Sequence, residues 1–312
     1  MNKTASRVKK ILDVAAYALA QKNTPLFSYN QLNEDDISVI TSSVKKGVIP
    51  KTIWIYWQDE NLPDYIQRMV NRMQSQNPDH TLILLNANNL CDYILPVNFT
   101  ATDIPLANQS DIIRLEILAR FGGIWIDAST LLYHSLAWVH QVNQAANHDL
   151  IGFYRDISTT NRNYPVIESW FLCTPPDNPF IRKWLDVLSP LKELGARGYY
   201  QLMLARDDYA EIAQKIHKPD YLLVYLAQQI AQRQCDNLNL YLKRSEANAF
   251  LYQEHLNWDA YQLAKWLCLN NAPLVPPPLI KLNSANRSGI ESIMRLKLLN
   301  KNSIIGDLYR RR

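Results

Sequence analysis

The sequence predicts an α/β protein built on a mostly parallel central sheet with added helices. Three observations carry that prediction. Short apolar runs alternate with amphipathic stretches between Ile49 and Ile126, which is the strand–helix–strand arithmetic of a parallel sheet. A chain of 312 residues, 47% of them hydrophobic, is long enough to bury one large α/β core or two small ones. Asp127 also stands at the carboxyl end of a predicted strand, the edge at which open α/β sheets bind ligands.

The elements follow in order. Residues 5–21, ASRVKKILDVAAYALAQ, place Val8, Ile11, Leu12, Ala15, Ala18 and Leu19 on one helical face. A second short helix is expected over 33–46. IPKTIWIYWQ, Ile49 to Gln58, reads as the first core strand because β-branched and aromatic residues follow a proline. Pro63 opens a helix at its first position, with Leu62, Ile66, Met69, Val70 and Met73 as its buried stripe. PDHTLILLN, Pro78 to Asn86, is a turn and then a strand.

Next comes SDIIRLEILARFGGIWIDAST, Ser110 to Thr130. Ser110 suits an N-cap, where its hydroxyl accepts from a free backbone N–H. Asp111 then falls in the first turn, where negative charge suits the helix dipole. Ile112, Ile113, Leu115, Ile117, Leu118 and Ala119 make the helix apolar over a wide arc, so it is expected to be largely buried. Gly122 and Gly123 end it in a left-handed cap. Ile124, Trp125 and Ile126 read as a buried strand, with Asp127 at its carboxyl end. Further strands are expected at 149–155 and 166–173, and a helix at 177–188 with Pro179 in its first turn. The segment 192–268 reads as mainly helical, 272–289 as a Pro-rich, non-helical return, and the end as a basic helical tail.

Composition narrows the function. A net charge of +4 is well short of a nucleic-acid signature. The cysteines, Cys91, Cys173, Cys235 and Cys268, lack metal-ligand spacing. Without a signal peptide they suggest a reducing cytoplasm. No apolar run reaches the roughly 18 residues of a membrane span, and the six histidines form no HExxH pattern. No GxGxxG or GxxxxGK[ST] loop occurs, so a nucleotide on this sheet would be held without a glycine cradle.

Asp111 and Arg114 would ordinarily make a helix-surface ion pair contributing only about 0.3–0.5 kcal/mol. Their neighbours are apolar, however, and charges persist in such surroundings where they are paired or bind something.

Three segments together carry a family resemblance. IPKTIWIYWQ, NPDHTLILLN and ANQSDIIRLEILARFGGIWIDASTLL, in that order, resemble capsular-polysaccharide-synthesis glycosyltransferases, which are similar to glycosyltransferase family 32 and more distantly to the sugar-transferring domains of large glucosylating toxins. The resemblance is strong over 49–135, weaker through ESWFLCTPPDNPFIRKWLDVL and PLIKLN, and does not cover 1–45 or 290–312. It implies a glycosyltransferase-A, Rossmann-like fold in a catalytic domain at 49–289, between a helical extension at 1–48 and a basic tail at 290–312. It implies transfer of a hexose from a UDP- or GDP-sugar, with retention, to a glycan or lipid-linked acceptor.

By that resemblance Asp111 and Arg114, beside Ser110, would grip the donor sugar or diphosphate. Asp127 would open a DxD motif, and Trp57 would stack on the base. Where the second Asp of that motif is expected, this chain has Ser129, a neutral and weaker oxygen ligand. A divalent Mn²⁺ or Mg²⁺ is still expected there, held by Asp127 and Ser129 with help from Asn283, because the leaving diphosphate needs neutralisation. The Ser129 departure also leaves open a non-catalytic nucleotide-sugar binder. Lys281 follows the Pro-rich return and could reach the diphosphate, with an ordinary surface lysine as the alternative. Glu168 reads as a strand-end carboxylate pointing at water, with the acceptor side of the cleft as the alternative. Asp220 and Tyr221 read as the start of a helix. Lys3, Arg7, Lys9, Lys10, Arg295, Lys297, Lys301 and the last three arginines flank amphipathic ends, a charge placement that suits peripheral contact with an anionic membrane or, alternatively, solvated ends that pack on their own domain.

Overall fold

The computed structural model describes residues 3–21, 23–42 and 47–310, with side chains from Ile11 onward. The basic side chains Lys3, Arg7, Lys9, Lys10, Arg311 and Arg312, and Val8 of the predicted apolar face, lie outside the described residues. The chain begins with α1 (Lys3–Gln21) and a short strand β1 (Ile37–Ile40). Then come β2 (Thr52–Tyr56), α2 (Asp64–Gln76), β3 (Thr81–Leu85), α3 (Leu106–Phe121), β4 (Gly123–Ile126), β5 (Thr130–Leu132), α4 (Ala137–Ala146), β6 (Leu150–Tyr154) and β7 (Ile167–Thr174). A helical stretch follows: α5 (Pro179–Leu188), α6 (Leu191–Leu204), α7 (Tyr209–Ala213) and α8 (Leu223–Arg233). The remainder is β8 (Asn239–Arg244), α9 (Leu251–His255), α10 (Ala260–Leu269), β9 (Leu279–Lys281), α11 (Ser284–Arg295) and α12 (Ile304–Asp307).

Among the described residues, seven strands form one sheet in the order β1-β8-β6-β7-β4-β2-β3. Strands β3, β2, β4, β6 and β8 run in one direction, while β7 and β1 oppose them. The expected α/β class with a mostly parallel sheet is therefore what the chain adopts. Helices cover both faces, because the strands are apolar on both sides. Ile53 and Ile55 point to one face, with α2 and α10; Trp54 points to the other, with α3, α5 and α8. β5 and β9 pair apart from this sheet, with Thr130 opposite Lys281.

Four expectations change. Residues 37–40 are a strand, not part of a helix over 33–46; Ile37-Ser-Val-Ile alternates and pairs along β8 (residues 43–46 are outside the description). β8 interrupts the mainly helical stretch, and its Leu240 and Leu242 are fully buried. The Pro-rich return contains β9 and the first turns of α11. Among the described side chains of α1 the buried one is Val14, with Tyr17 donating to Asn270, while Ile11, Leu12 and Leu19 of the predicted inner face are exposed.

The glycine pair has a steric reason. Gly122 and Gly123 hold φ of +59° and +96°. A Cβ on Gly122 would lie 2.4 Å from the Pro176 backbone nitrogen, and one on Gly123 2.7 Å from the Thr52 carbonyl. The pair lets α3 turn directly into β4 against β2. The ψ of −155° at Gly122 is outside the left-handed cap expected from sequence and is a conformation open almost only to glycine.

Candidate active site

α3 starts one turn earlier than the sequence suggests, at Leu106 after Pro105. Proline fixes φ near −65° and suits a helix start. Ser110 is therefore inside the helix and is not its N-cap. Its hydroxyl and carbonyl instead each accept from Arg114, both at 3.3 Å. The one-turn shift also moves Asp111 out of the first turn.

The charges buried on α3 face the carboxyl edge of the sheet. The Arg114 guanidinium lies 3.3 Å from Asp111 Oδ1 and 3.4 Å from Asp127 Oδ1. It also donates to Ser169 Oγ on β7 at 2.8 Å and lies over the Trp125 ring. Ser169 in turn donates to Asp111 at 3.3 Å. Burial pushes the Asp111 carboxyl up to about 6, against the pull of Arg114. Burial acts in the same direction on Asp127, but Lys281 and Arg114 outweigh it and hold that carboxyl down at about 2. The two carboxylates are thus differentiated by environment, as paired acids in reactive sites are.

Asp127 is fixed by the sheet. Its N–H donates to the Trp170 carbonyl on β7, and its carbonyl accepts from Thr130 to close a turn. That turn presents Ser129, which is buried and donates to the Leu282 carbonyl at 2.8 Å. The pairing of β5 with β9 sets Lys281 beside it. Lys281 Nζ is 3.0 Å from Asp127 Oδ2, 3.0 Å from Ser129 Oγ and 3.1 Å from the Leu282 carbonyl.

Sequence reading missed Arg287, Tyr221 as a site residue, Ser169 and Asn108. The Arg287 guanidinium sits over the Trp57 ring, 5.0 Å from its centroid, at the carboxyl end of β2. Tyr221 stands before α8 rather than opening it. Its phenol titrates above the ordinary value through burial and the negative Asp111, with Arg287 pulling the other way. Asn108 donates to the Tyr221 carbonyl at 3.1 Å. Asn108 Oδ1 and Arg287 Nε are buried without a hydrogen-bond partner in the protein, the unmatched polarity expected beside a polar ligand. The N-x-x-N spacing of Asn283 and Asn286, a helix-start pattern, was the available signal that Arg287 lies on a helix.

The remaining expected residues are placed differently. Asn283 is exposed and caps α11, accepting from the Asn286 N–H at 2.9 Å. Glu168 does not point at water: it is 3% exposed. It accepts from Tyr225 at 2.5 Å and Trp170 at 3.0 Å, and lies 4.0 Å from Arg155. Burial raises its carboxyl above the usual range.

The divalent cation that the resemblance implies would have to be held by Asp127 and Ser129. Mg²⁺ binds several oxygens at about 2.0–2.1 Å. Here the carboxylate and the hydroxyl on offer are both engaged by the Lys281 ammonium. A divalent ion about 4 Å from that ammonium meets a repulsion on the order of 8 kcal/mol at an effective dielectric of about 20. With Lys281 in place, these residues do not fit the metal.

No helix among the described residues is long and apolar enough to cross a membrane. A curated protein that the chain resembles is an O-glycosyltransferase of Annulohypoxylon truncatum, named braB. It is 27% identical over 177 residues, which is 50% of this chain and 41% of that protein. This chain thus matches less than half the length of that relative. The solved structure of PaToxG Glycosyltransferase aligns with a TM-score of 0.37 at 16% identity, over 97% of this chain and 95% of the other. The family model described as capsular polysaccharide synthesis protein matches residues 10–190. That span is more than half of the chain and contains Trp57, Asp111, Arg114, Asp127 and Ser129, so the chain belongs to the capsular polysaccharide synthesis protein family.

Proposed function

We propose that the chain is a glycosyltransferase of surface-polysaccharide synthesis, similar to family 32 enzymes of glycosyltransferase-A type. It moves a hexose from a UDP- or GDP-sugar to a glycan or lipid-linked acceptor. The observation that carries this reading is the convergence of Asp111, Arg114, Asp127, Lys281 and Arg287 at the carboxyl edge of β2 and β4. An activated sugar needs acceptors for its hydroxyls, cations for its diphosphate and a flat face for its base; these carboxylates and cations supply the first two, and Trp57 beneath Arg287 supplies the third. The machinery falls within 49–289, the span proposed as the catalytic domain, which shares its sheet with β1 and its core with the rest of α11 and with α12.

In this reading Asp127 and Asp111 accept hydrogen bonds from sugar or ribose hydroxyls. Arg114, saturated by its neighbours, holds both carboxylates in place. Trp57 stacks on the base. The bond from the sugar C1 to the β-phosphate oxygen breaks, and its electron pair leaves with the diphosphate. The acceptor hydroxyl oxygen bonds to C1, and its proton passes to the departing diphosphate or to solvent. Same-face attack gives the proposed retention. Cations near the developing charge lower the barrier.

The exposed Ile11, Leu12 and Leu19 on α1 also support peripheral membrane contact at the cytoplasmic face. Flotation with anionic liposomes is expected to lose the chain when residues 1–22 are removed; equal flotation rejects that contact.

The central test is a panel of nucleotide sugars with detection of released nucleoside diphosphate. Release from at least one donor is expected, with a fall of at least a thousandfold for Asp127→Asn at unchanged circular dichroism. Binding of a donor with no release or transfer from any of them favours the non-catalytic binder.

A further inference from the structure

The Asp127-Ala128-Ser129 step lacks the second carboxylate of a metal-binding DxD, and the charges around it suggest why. β9 ends on Lys281, opposite Thr130 in the two-stranded sheet. Its backbone is pinned there, with the N–H on the Ala249 carbonyl and the carbonyl accepting from Gln253. The side chain is 10% exposed. Its three N–H donors match three oxygens within 3.1 Å: the Asp127 carboxylate, the Ser129 hydroxyl and the Leu282 carbonyl. This is the position in which a cation bridging the first and third residues of the motif would sit.

The charges balance accordingly. Lys281 offsets Asp127, and Arg114 offsets Asp111. A second carboxylate at position 129 would leave a buried negative charge without a partner, whereas a hydroxyl completes the ammonium's third contact at no charge. Arg287 is then the surplus cation. It faces the same space from α11, over the Trp57 ring and with its buried Nε unpartnered.

We propose that the Lys281 ammonium is a tethered cation in the place of a divalent metal, with Arg287 as the positive group that meets the diphosphate, so that donor binding and departure of the leaving group need no added ion. This inference rests on the nucleotide-sugar reading. The electron pair released at C1 passes to the β-phosphate oxygen, in the field of two protein cations that need no recruitment. Ser129 follows as a consequence of Lys281 rather than as a lost ligand.

The test is calorimetric titration of UDP and of GDP into the intact chain, in EDTA and again in Mn²⁺. A parallel titration follows the free Mn²⁺ signal by electron paramagnetic resonance. The expected result is a nucleotide affinity that agrees within threefold in the two buffers, with no Mn²⁺ taken up by the wild-type chain. Lys281→Met, which keeps the length of the stem, is expected to weaken nucleotide binding at least tenfold in EDTA. Arg287→Met is expected to do so as well, through a residue that is half-buried. Stoichiometric uptake of Mn²⁺ by the wild-type chain, or a wild-type nucleotide affinity more than threefold weaker in EDTA than in Mn²⁺, overturns the proposal whether or not the variants fold. Failure of both nucleotides to bind in either buffer instead overturns the nucleotide-sugar reading, and with it the role given to the two cations.

Discussion

Removing the Arg114 guanidinium by Arg114→Met leaves a buried carboxylate behind. Asp111 is 6% exposed, and its remaining contacts are Ser169 at 3.3 Å and the Asn108 amide at 3.4 Å. Breaking a buried ion pair by deleting one partner costs about 3–5 kcal/mol. The cost depends on pH in a definite direction. The folded-state pKa of Asp111, about 6, is raised above its ordinary value. A raised group contributes stability that is fully present below the unfolded value and lost as pH rises through the folded one. Without Arg114 the carboxyl moves higher still. Near pH 5 it is therefore already neutral, and the loss shrinks to the bonds with Ser169 and Ser110, the contact with Trp125 and the pairing with Asp127, which stays ionised but keeps Lys281, together about 2–3 kcal/mol. At pH 8 the full penalty applies. Urea unfolding followed by tryptophan fluorescence at the two pH values measures this, and Asp111→Asn/Arg114→Met is expected to recover a large part of the pH 8 loss. A pH 8 loss under about 1 kcal/mol, equal losses at both pH values, or a double variant no more stable than the single one refutes the reasoning.

Three further outcomes follow from the same geometry. Gly123→Ala forces a Cβ to within 2.7 Å of the Thr52 carbonyl at a φ of +96°, and is expected to cost about 2–4 kcal/mol in urea unfolding. Trp57→Ala removes the flat face at the end of β2; nucleotide affinity measured by calorimetry is expected to fall roughly five- to 150-fold, the range for loss of one base–aromatic stack. If Asp111 must be ionised to accept sugar hydroxyls, kcat/KM falls as pH drops through about 6. A pH–rate profile in which Asp111→Asn keeps that acid limb assigns it to another group.

Much of the frame was legible because its patterns are local. β2, β3 and β4 are short apolar runs bounded by turn residues, and α2 buries Ile66, Met69, Val70 and Met73 at helical spacing as expected. β8 was not legible. Its Leu240 and Leu242 alternate, but Asn-Leu-Tyr-Leu-Lys-Arg follows a long helical stretch, and its partners β6 and β1 are distant in sequence. The start of α3 was misplaced because Ser110 reads as a cap while Pro105, five residues earlier, sets the helix. In the site, Asp111, Arg114 and Asp127 announced themselves as charges in an apolar run. What they touch was hidden, because Lys281 reaches Asp127 only through a β5–β9 pairing that spans some 150 residues. Arg287 was obscured by the prolines before it, although the helix it sits on begins with a capping box.

The most direct measurement of the central claim is a crystal structure with a nucleotide sugar soaked in. The account requires the base on Trp57, sugar hydroxyls on Asp111 or Asp127, and the diphosphate facing Arg287 beside an undisplaced Lys281. A donor bound elsewhere, with these side chains turned from it, contradicts the account.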